Sequence, residues 1–114
     1  MERKTDVPSV RLQPSDPQLA DLRAFALVHE SGSFSQAAQI LGISQPTVSI
    51  RLQNLEDYVG FKLIDRRPGA ALTEMGRPIY GRVKQILAQV DAFGATAREF
   101  EGLRAGYLRI GFST

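Results

Sequence analysis

The sequence predicts a mainly α fold, a three-helix head with a short two-stranded wing followed by one long helix. Three observations lead there. Apolar residues recur at helical spacing over most of the chain. Glycines and capping serines break that pattern at short intervals between residues 31 and 60. A Pro68-Gly69 pair stands between the short apolar stretches 61–64 and 70–72, which reads as a hairpin with Arg66 and Arg67 at its turn.

The elements follow in order. Residues 1–15 mix charges with Pro8 and Pro14 and show no apolar period, so they read as a mobile arm. Asp16 is the expected cap of a first helix with Pro17 at its first position, where a missing N–H costs nothing. Leu19, Leu22, Phe25 and Ala26 recur on one face of it, and Ser31-Gly32 ends it. Ser33 or Ser35 starts a short second helix through Ala37, Ala38 and Leu41, which Gly42 terminates. Ser44 caps a third, with Pro46 in its first turn and Val48, Leu52, Leu55 and Val59 in one arc, ending at Gly60. The head spans 16–73.

Thr73 is the expected cap of the long helix, assigned to 74–105. Ile79, Val83, Ile86, Leu87, Val90 and Phe93 form its apolar stripe, continued by Phe100 and Leu103, and a stripe of that length in a small protein predicts a dimer interface. Pro78 is expected to delete one helical hydrogen bond and bend the first turn. Gly102 and Gly106 are expected to close the helix, and 107–112 alternates as a strand would.

Composition narrows the function. With no cysteine and one histidine, His29, the 114 residues hold no disulfide framework and no thiolate or histidine-cluster metal site, and no motif gathers groups for nucleophilic catalysis. An enzyme is not expected. No apolar run reaches the roughly 20 residues of a membrane span, and the start lacks a signal-peptide core. A cytoplasmic protein without a membrane partner is the expectation. Net charge is only +2, but Lys62, Arg66, Arg67, Arg77, Arg82 and Lys84 face only Asp65 and Glu74 across that stretch. Such a stripe suits nucleic acid or a plain solvated face.

The spacing Ala37-Ala38, Gly42, Ile43, Val48 meets the needs of two helices crossing steeply through a short turn: small residues at the contact, a glycine at the reversal, apolar plugs on either side. On the third helix Pro46, Ile50, Gln53, Asn54 and Asp57 point away from the core arc, Thr47 and Ser49 flank that outer face, and Gln45 opens the first turn. The N-terminal half thus offers amides and hydroxyls without acids, while Glu56 and Asp57 come late, clear of phosphates. That gradient suits a helix entering a major groove by its N-terminus. An ordinary helical hairpin with a solvated face would share much of it.

These residues resemble the LysR-type transcriptional regulators. The resemblance runs from Leu19 to about Val90, through Leu22-Arg23-Ala24-Phe25, Gly32-Ser33-Phe34-Ser35-Gln36-Ala37-Ala38, Leu41-Gly42-Ile43-Ser44-Gln45-Pro46-Thr47-Val48-Ser49, Leu52, Leu55-Glu56, Gly60, Leu63, Arg66 and Leu72-Thr73-Glu74-Met75-Gly76. It implies a winged helix-turn-helix, a linker helix that pairs two subunits antiparallel, and a separate effector-binding domain. It also implies binding to an interrupted inverted repeat in double-stranded DNA as a homodimer through the linker helix, usually as a tetramer at full length. By position, Gln45, Pro46, Thr47, Ser49 and Ile50 are the expected base contacts. Ser33, Ser35, Ser44, Arg51, Asn54, Arg66 and Arg67 are the expected phosphate or wing contacts. No cofactor is expected in this stretch, and a small-molecule effector is expected for the full-length protein. Residues 106–114 look like the start of the effector-binding domain, with Leu108-Arg109-Ile110-Gly111-Phe112 as its first strand, cut off just after it starts.

Two departures stand out. Ile50 occupies the place where arginine commonly follows the family's Ser-Gln-Pro segment, with Arg51 after it; Ile50 is expected on a thymine methyl and Arg51 on a phosphate. The wing tip Gly69-Ala70-Ala71 is short and uncharged, leaving Arg66 and Arg67 to grip DNA. A pure dimerisation module, or a winged-helix regulator of the molybdate-responsive type, are the competing readings; the polar start of the third helix argues against the first and Ser-Gln-Pro against the second.

Overall fold

The computed structural model describes residues 16–109, which form four helices: α1 (Leu19–Ser31), α2 (Phe34–Leu41), α3 (Gln45–Val59) and α4 (Gly76–Arg109). The expected arm, 1–15, and the last residues, 110–114, lie outside the described part. Helix α1 packs on α2, α3 and α4 and is the hub of the core. Phe25 and Val28 of α1, Ala37 of α2, and Val48 and Leu52 of α3 are wholly buried together, which is the arc expected for α3 and the small-residue contact expected for α2. The turn between α2 and α3 rests on Gly42, whose φ of 69° is a left-handed backbone that a side chain would strain.

The caps decide the boundaries. Ser33 caps α2, its Oγ accepting from the Gln36 N–H at 3.1 Å, and Ser44 caps α3, accepting from the Thr47 N–H at 3.3 Å. Helix α1 starts two residues later than expected. Asp16 does not cap it; instead the Asp21 carboxylate reaches back to accept the Gln18 N–H at 2.9 Å, which makes Gln18 the cap residue and leaves Pro17 outside.

The wing is smaller than expected. Its two strands reduce to one antiparallel bridge, Ile64 with Leu72, flanked by Asp65 N–H to Ala71 O at 2.8 Å and Thr73 N–H to Leu63 O at 3.0 Å. Its tip is also not Gly69-Ala70-Ala71. Ala70 donates to Arg67 O at 3.1 Å, closing the turn, and is only 3% exposed, so the turn folds back on α1 and Arg67-Pro68-Gly69 form the tip.

Helix α4 differs at both ends from its expected span. It begins at Gly76 because Thr73 turns the chain, its Oγ1 donating to Lys62 O at 2.7 Å and accepting from Gly76 N–H at 3.0 Å. Pro78 is then the third residue of the helix, where the N–H would have no partner, so no bond is lost. Gly102 and Gly106 do not stop it, since a glycine costs a helix only about 1 kcal/mol and the good helix formers 97–101 and 103–105 precede or separate them. Residues 107–109 are helical rather than extended.

The first turns of α4 belong to the head. Val83 is 3% exposed within the core cluster, and Ile79, Tyr80 and Leu87 pack against it. The expected dimer stripe therefore divides. Ile79, Val83 and Leu87 are spent inside the subunit, whereas Ile86 is 38% exposed, Phe93 77%, Phe100 68% and Leu103 70%.

Candidate nucleic-acid interface

Helix α3 turns its N-terminal half outward. Gln45 and Pro46 are exposed, Ile50 is 61% exposed, and Thr47 and Ser49 are half-buried at the flanks. No acidic residue lies in the first turn. Of the two late acids, Asp57 accepts a hydrogen bond from Gln53 Nε2 at 2.8 Å on the surface, while Glu56 is not on the surface at all. The expected gradient along the helix stands, though Glu56 leaves it by being buried.

Two clefts border this face. On one side Thr47, Ile50, Arg51 and Asn54 line a cleft shared with Asp16, Gln18 and Asp21 at the start of α1. Arg51, half-buried, faces this flank rather than the outer face, as its place on the helix predicts. On the other side Gly32, Ser33, Phe34, Ser35 and Gln45 meet the wing residues Arg66, Arg67 and Gly69. The second cleft gathers a helix N-terminus, two serine hydroxyls and a guanidinium, a combination suited to a phosphate.

The hydroxyls there are partly committed. Ser33 Oγ lies 3.0 Å from Ser35 Oγ, and Ser44 Oγ lies 2.8 Å from Thr47 Oγ1. Each pair uses one hydroxyl hydrogen internally and keeps one to donate outward. Arg66 is held from two directions, its guanidinium 4.9 Å above the Phe34 ring and its Nη2 3.6 Å from Glu56 Oε1. Arg67 is bound to Asp65: its backbone N–H and Nε donate to Oδ1, both at 3.0 Å, Nε also reaches Oδ2 at 3.0 Å, and Nη2 pairs with Oδ2. Hydrogen bonding from Arg67 holds the Asp65 carboxyl down at about 2, so it stays charged at any ordinary pH.

Sequence reading missed the residue that joins wing to recognition helix. Glu56, 3% exposed, accepts from Leu63 N–H at 2.8 Å and from Ile64 N–H at 3.4 Å through Oε2, while Oε1 has no hydrogen-bond partner among the described residues and faces Lys62 Nζ at 3.5 Å and Arg66 Nη2. The available signal was an acid beside the core arc with Lys62 and Arg66 a few residues on. A second cluster ties α1 to α4 behind the interface: Glu30 accepts from the Tyr80 hydroxyl and from Lys84 Nζ at 3.0 Å, and His29 packs edge-on to Tyr80 with Nδ1 3.5 Å from Ala70 O. The Tyr80 bond leads in pulling the Glu30 carboxyl below its usual value, burial raises Tyr80, and the Glu30 hydrogen bond raises Lys84. His29 is thus a structural residue at the back of the wing.

With this geometry in place, comparison with known proteins is decisive. Residues 19–77, more than half of the chain, match the lysR family of bacterial regulatory helix-turn-helix proteins. The chain belongs to that family. It is 37% identical over 100 residues to the transcriptional activator BauR of Pseudomonas aeruginosa, covering 87% of this chain and 33% of BauR. It is 42% identical over 96 residues to a probable hydrogen peroxide-inducible genes activator of Mycobacterium xenopi, covering 83% of this chain and 51% of that protein. The chain thus spans between a third and a half of these two LysR-type relatives. Among solved structures, the BenM DNA-binding domain in complex with catB site 1 DNA matches with a TM-score of 0.69 at 33% identity, over 74% of this chain and 96% of that one. Vibrio fischeri DarR in complex with DNA matches with a TM-score of 0.69 at 28% identity, over 77% of this chain and 30% of that one. The helix-turn-helix followed by a long helix is accordingly a LysR-family DNA-binding head, and the family is one of transcriptional regulators.

Proposed function

We propose that this chain is the DNA-reading head and dimerising linker of a transcriptional regulator that binds an interrupted inverted repeat as a dimer. The observation that carries the reading is the acid-free, outward N-terminal half of α3, set beside a wing-side cleft whose helix N-terminus, serine hydroxyls and guanidinium suit a phosphate backbone. Gln45, Pro46, Thr47, Ser49 and Ile50 meet base edges, the Ser44–Thr47 hydroxyl pair keeping one hydrogen to donate outward. Ser33, Ser35, Ser44, Arg51, Asn54 and Arg66 meet phosphates, whose neutralisation supplies salt-dependent affinity.

Dimerisation falls to the outer stripe Ile86, Val90, Phe93, Phe100 and Leu103. Large aromatic side chains this exposed are costly in a lone subunit and gain most by burial against a second copy. In the whole protein, a further domain answers a small-molecule effector and the dimers pair into tetramers. Among the described residues no helix is long and apolar enough to cross a membrane.

Selection of bound sequences from random duplexes tests the reading. An enriched interrupted inverted repeat is expected, and no enrichment refutes it. Replacing Ile50 by arginine should change the base preferred at one position in each half-site, since an exposed apolar side chain and a guanidinium read different groove edges.

A further inference from the structure

The wing carries its own counter-charges. Its three cations, Lys62, Arg66 and Arg67, sit against two carboxylates, Glu56 and Asp65, which leaves a net charge of about one. The two acids have different duties. Glu56 holds the wing backbone to α3. Among the described residues the Asp65 carboxylate bonds to nothing but Arg67, which it takes by the backbone N–H and the guanidinium together. The partners are two residues apart, so no loop has to be closed to bring them together. The Arg67 side chain is 84% exposed at the wing tip, beside the cleft that holds Ser33, Ser35 and Gln45.

We propose that Asp65 limits the sequence-independent attraction of this head for DNA by withholding Arg67 from the phosphate backbone. The proposal rests on the DNA-binding reading above. An exposed ion pair is weak on its own, so a phosphate could in principle replace the carboxylate as partner of Arg67. The exchange brings no gain. Releasing Arg67 uncovers Asp65 beside the same phosphate, and the attraction of one charge is offset by the repulsion of the other. Affinity for any duplex rises with the number of phosphates neutralised, whereas discrimination comes from the base contacts of α3. A clasped Arg67 keeps the first low without touching the second, so the head leaves wrong sites sooner.

The test compares the 114-residue chain with Asp65→Asn and with Asp65→Asn/Arg67→Ala, by anisotropy titration of a selected operator and a scrambled duplex between about 50 and 200 mM salt. Asparagine keeps an oxygen for the Arg67 N–H while removing the charge, and unchanged melting confirms an intact fold. Expected is a steeper salt dependence for Asp65→Asn on both duplexes, by about 0.9 in the log–log slope, or about a 3.5-fold larger loss of affinity over that salt range. The double variant should return to the wild-type slope. If Arg67 instead grips phosphate in the wild type, Asp65→Asn will match wild type and the double variant will be flatter by about 0.9, which overturns the clasp. If wild type shows no preference for operator over scrambled DNA, the reading of bases by α3 fails while the slopes on scrambled DNA still decide the clasp; binding to neither duplex overturns both.

Discussion

Replacing Glu56 by alanine should destabilise this head from inside, by cutting the buried tie between α3 and the wing. The carboxylate accepts the Leu63 N–H at 2.8 Å and the Ile64 N–H at 3.4 Å, and Leu63 and Ile64 are 0% and 2% exposed, so water has little access to either donor once the acceptor is gone. A buried donor left unsatisfied costs about 1–3 kcal/mol, and the longer bond counts at the low end. Some of this returns, because the mutation also removes Oε1, a buried oxygen without a hydrogen-bond partner. Lys62 and Arg66 lose an ion pair each, but with side chains 64% and 42% exposed they rehydrate at small cost. The balance is a loss of about 2–4 kcal/mol, which for a domain of this size lowers the melting temperature by roughly 10–25 °C. Glu56→Gln retains an acceptor for the wing N–H groups and should lose about 1 kcal/mol or less. Thermal unfolding followed by circular dichroism at one fixed protein concentration reads both, the fixed concentration removing the contribution of dimerisation. If the two variants melt within roughly 3 °C of each other, the hydrogen bonds to the wing are not what Glu56 supplies.

The divided stripe of α4 predicts two separable phenotypes: Val83→Asp should unfold the head, and Phe93→Asp should leave its circular dichroism intact while sedimentation shifts from dimer to monomer. A Cβ added at Gly76 would fall inside the van der Waals shell of the Leu63 carbonyl oxygen, so Gly76→Ala should cost about 1–3 kcal/mol in chemical denaturation despite the better helix propensity of alanine. The cluster of Glu30, Tyr80 and Lys84 contributes at both ends of the pH–stability curve, with Asp65 adding to the acid limb. Glu30, depressed below 4.5, stabilises fully above that value and less as pH falls through its folded pKa; Tyr80 and Lys84, raised above 10.0 and 10.5, lose their contributions as pH climbs past those values. Denaturation midpoints against pH should show both limbs in the wild type, and Tyr80→Phe should flatten each. Gln45→Ala should relax base preference at one half-site position in a binding-site selection with little change in salt dependence; a uniform loss across operator variants would remove Gln45 from base reading.

What was legible in the sequence was local. The core arc Val48, Leu52, Leu55 and Val59, the caps Ser33 and Ser44 and the stops at Gly42 and Gly60 depend on neighbours within one or two turns, and all of them hold in the structure. At the start of α1, Asp16 before Pro17 has the pattern of a cap, but Asp21 reaching back to Gln18 sets the boundary because it satisfies a backbone N–H from within the helix. The glycines at 102 and 106 misled by the same route, a single-residue penalty being read as a stop. Non-local pairings stayed invisible. The spacing sets Glu56 beside the core arc but does not show that it reaches the wing backbone, that Arg66 lies over Phe34 or that Val83 enters the core of the head, since each needs elements brought together by the fold. The basic stripe therefore appeared freer in the sequence than it is, and the apolar stripe of α4 appeared wholly available to a partner.

That α4 is rooted in the head also has a mechanical meaning. Ile79, Tyr80, Val83 and Leu87 lock its first turns to α1, and Thr73 fastens those turns to the wing, so there is no joint between the reading surface and the rod that leads away from it. The rod is 34 residues, about 50 Å at the rise of an α-helix. A tilt of roughly 10° imposed on a rod of that length moves one end by about 9 Å relative to the other. A push on the distal end of α4 thereby turns the reading surface with it, in the way a tiller turns a rudder, and a stiff handle makes a small push at one end legible at the other.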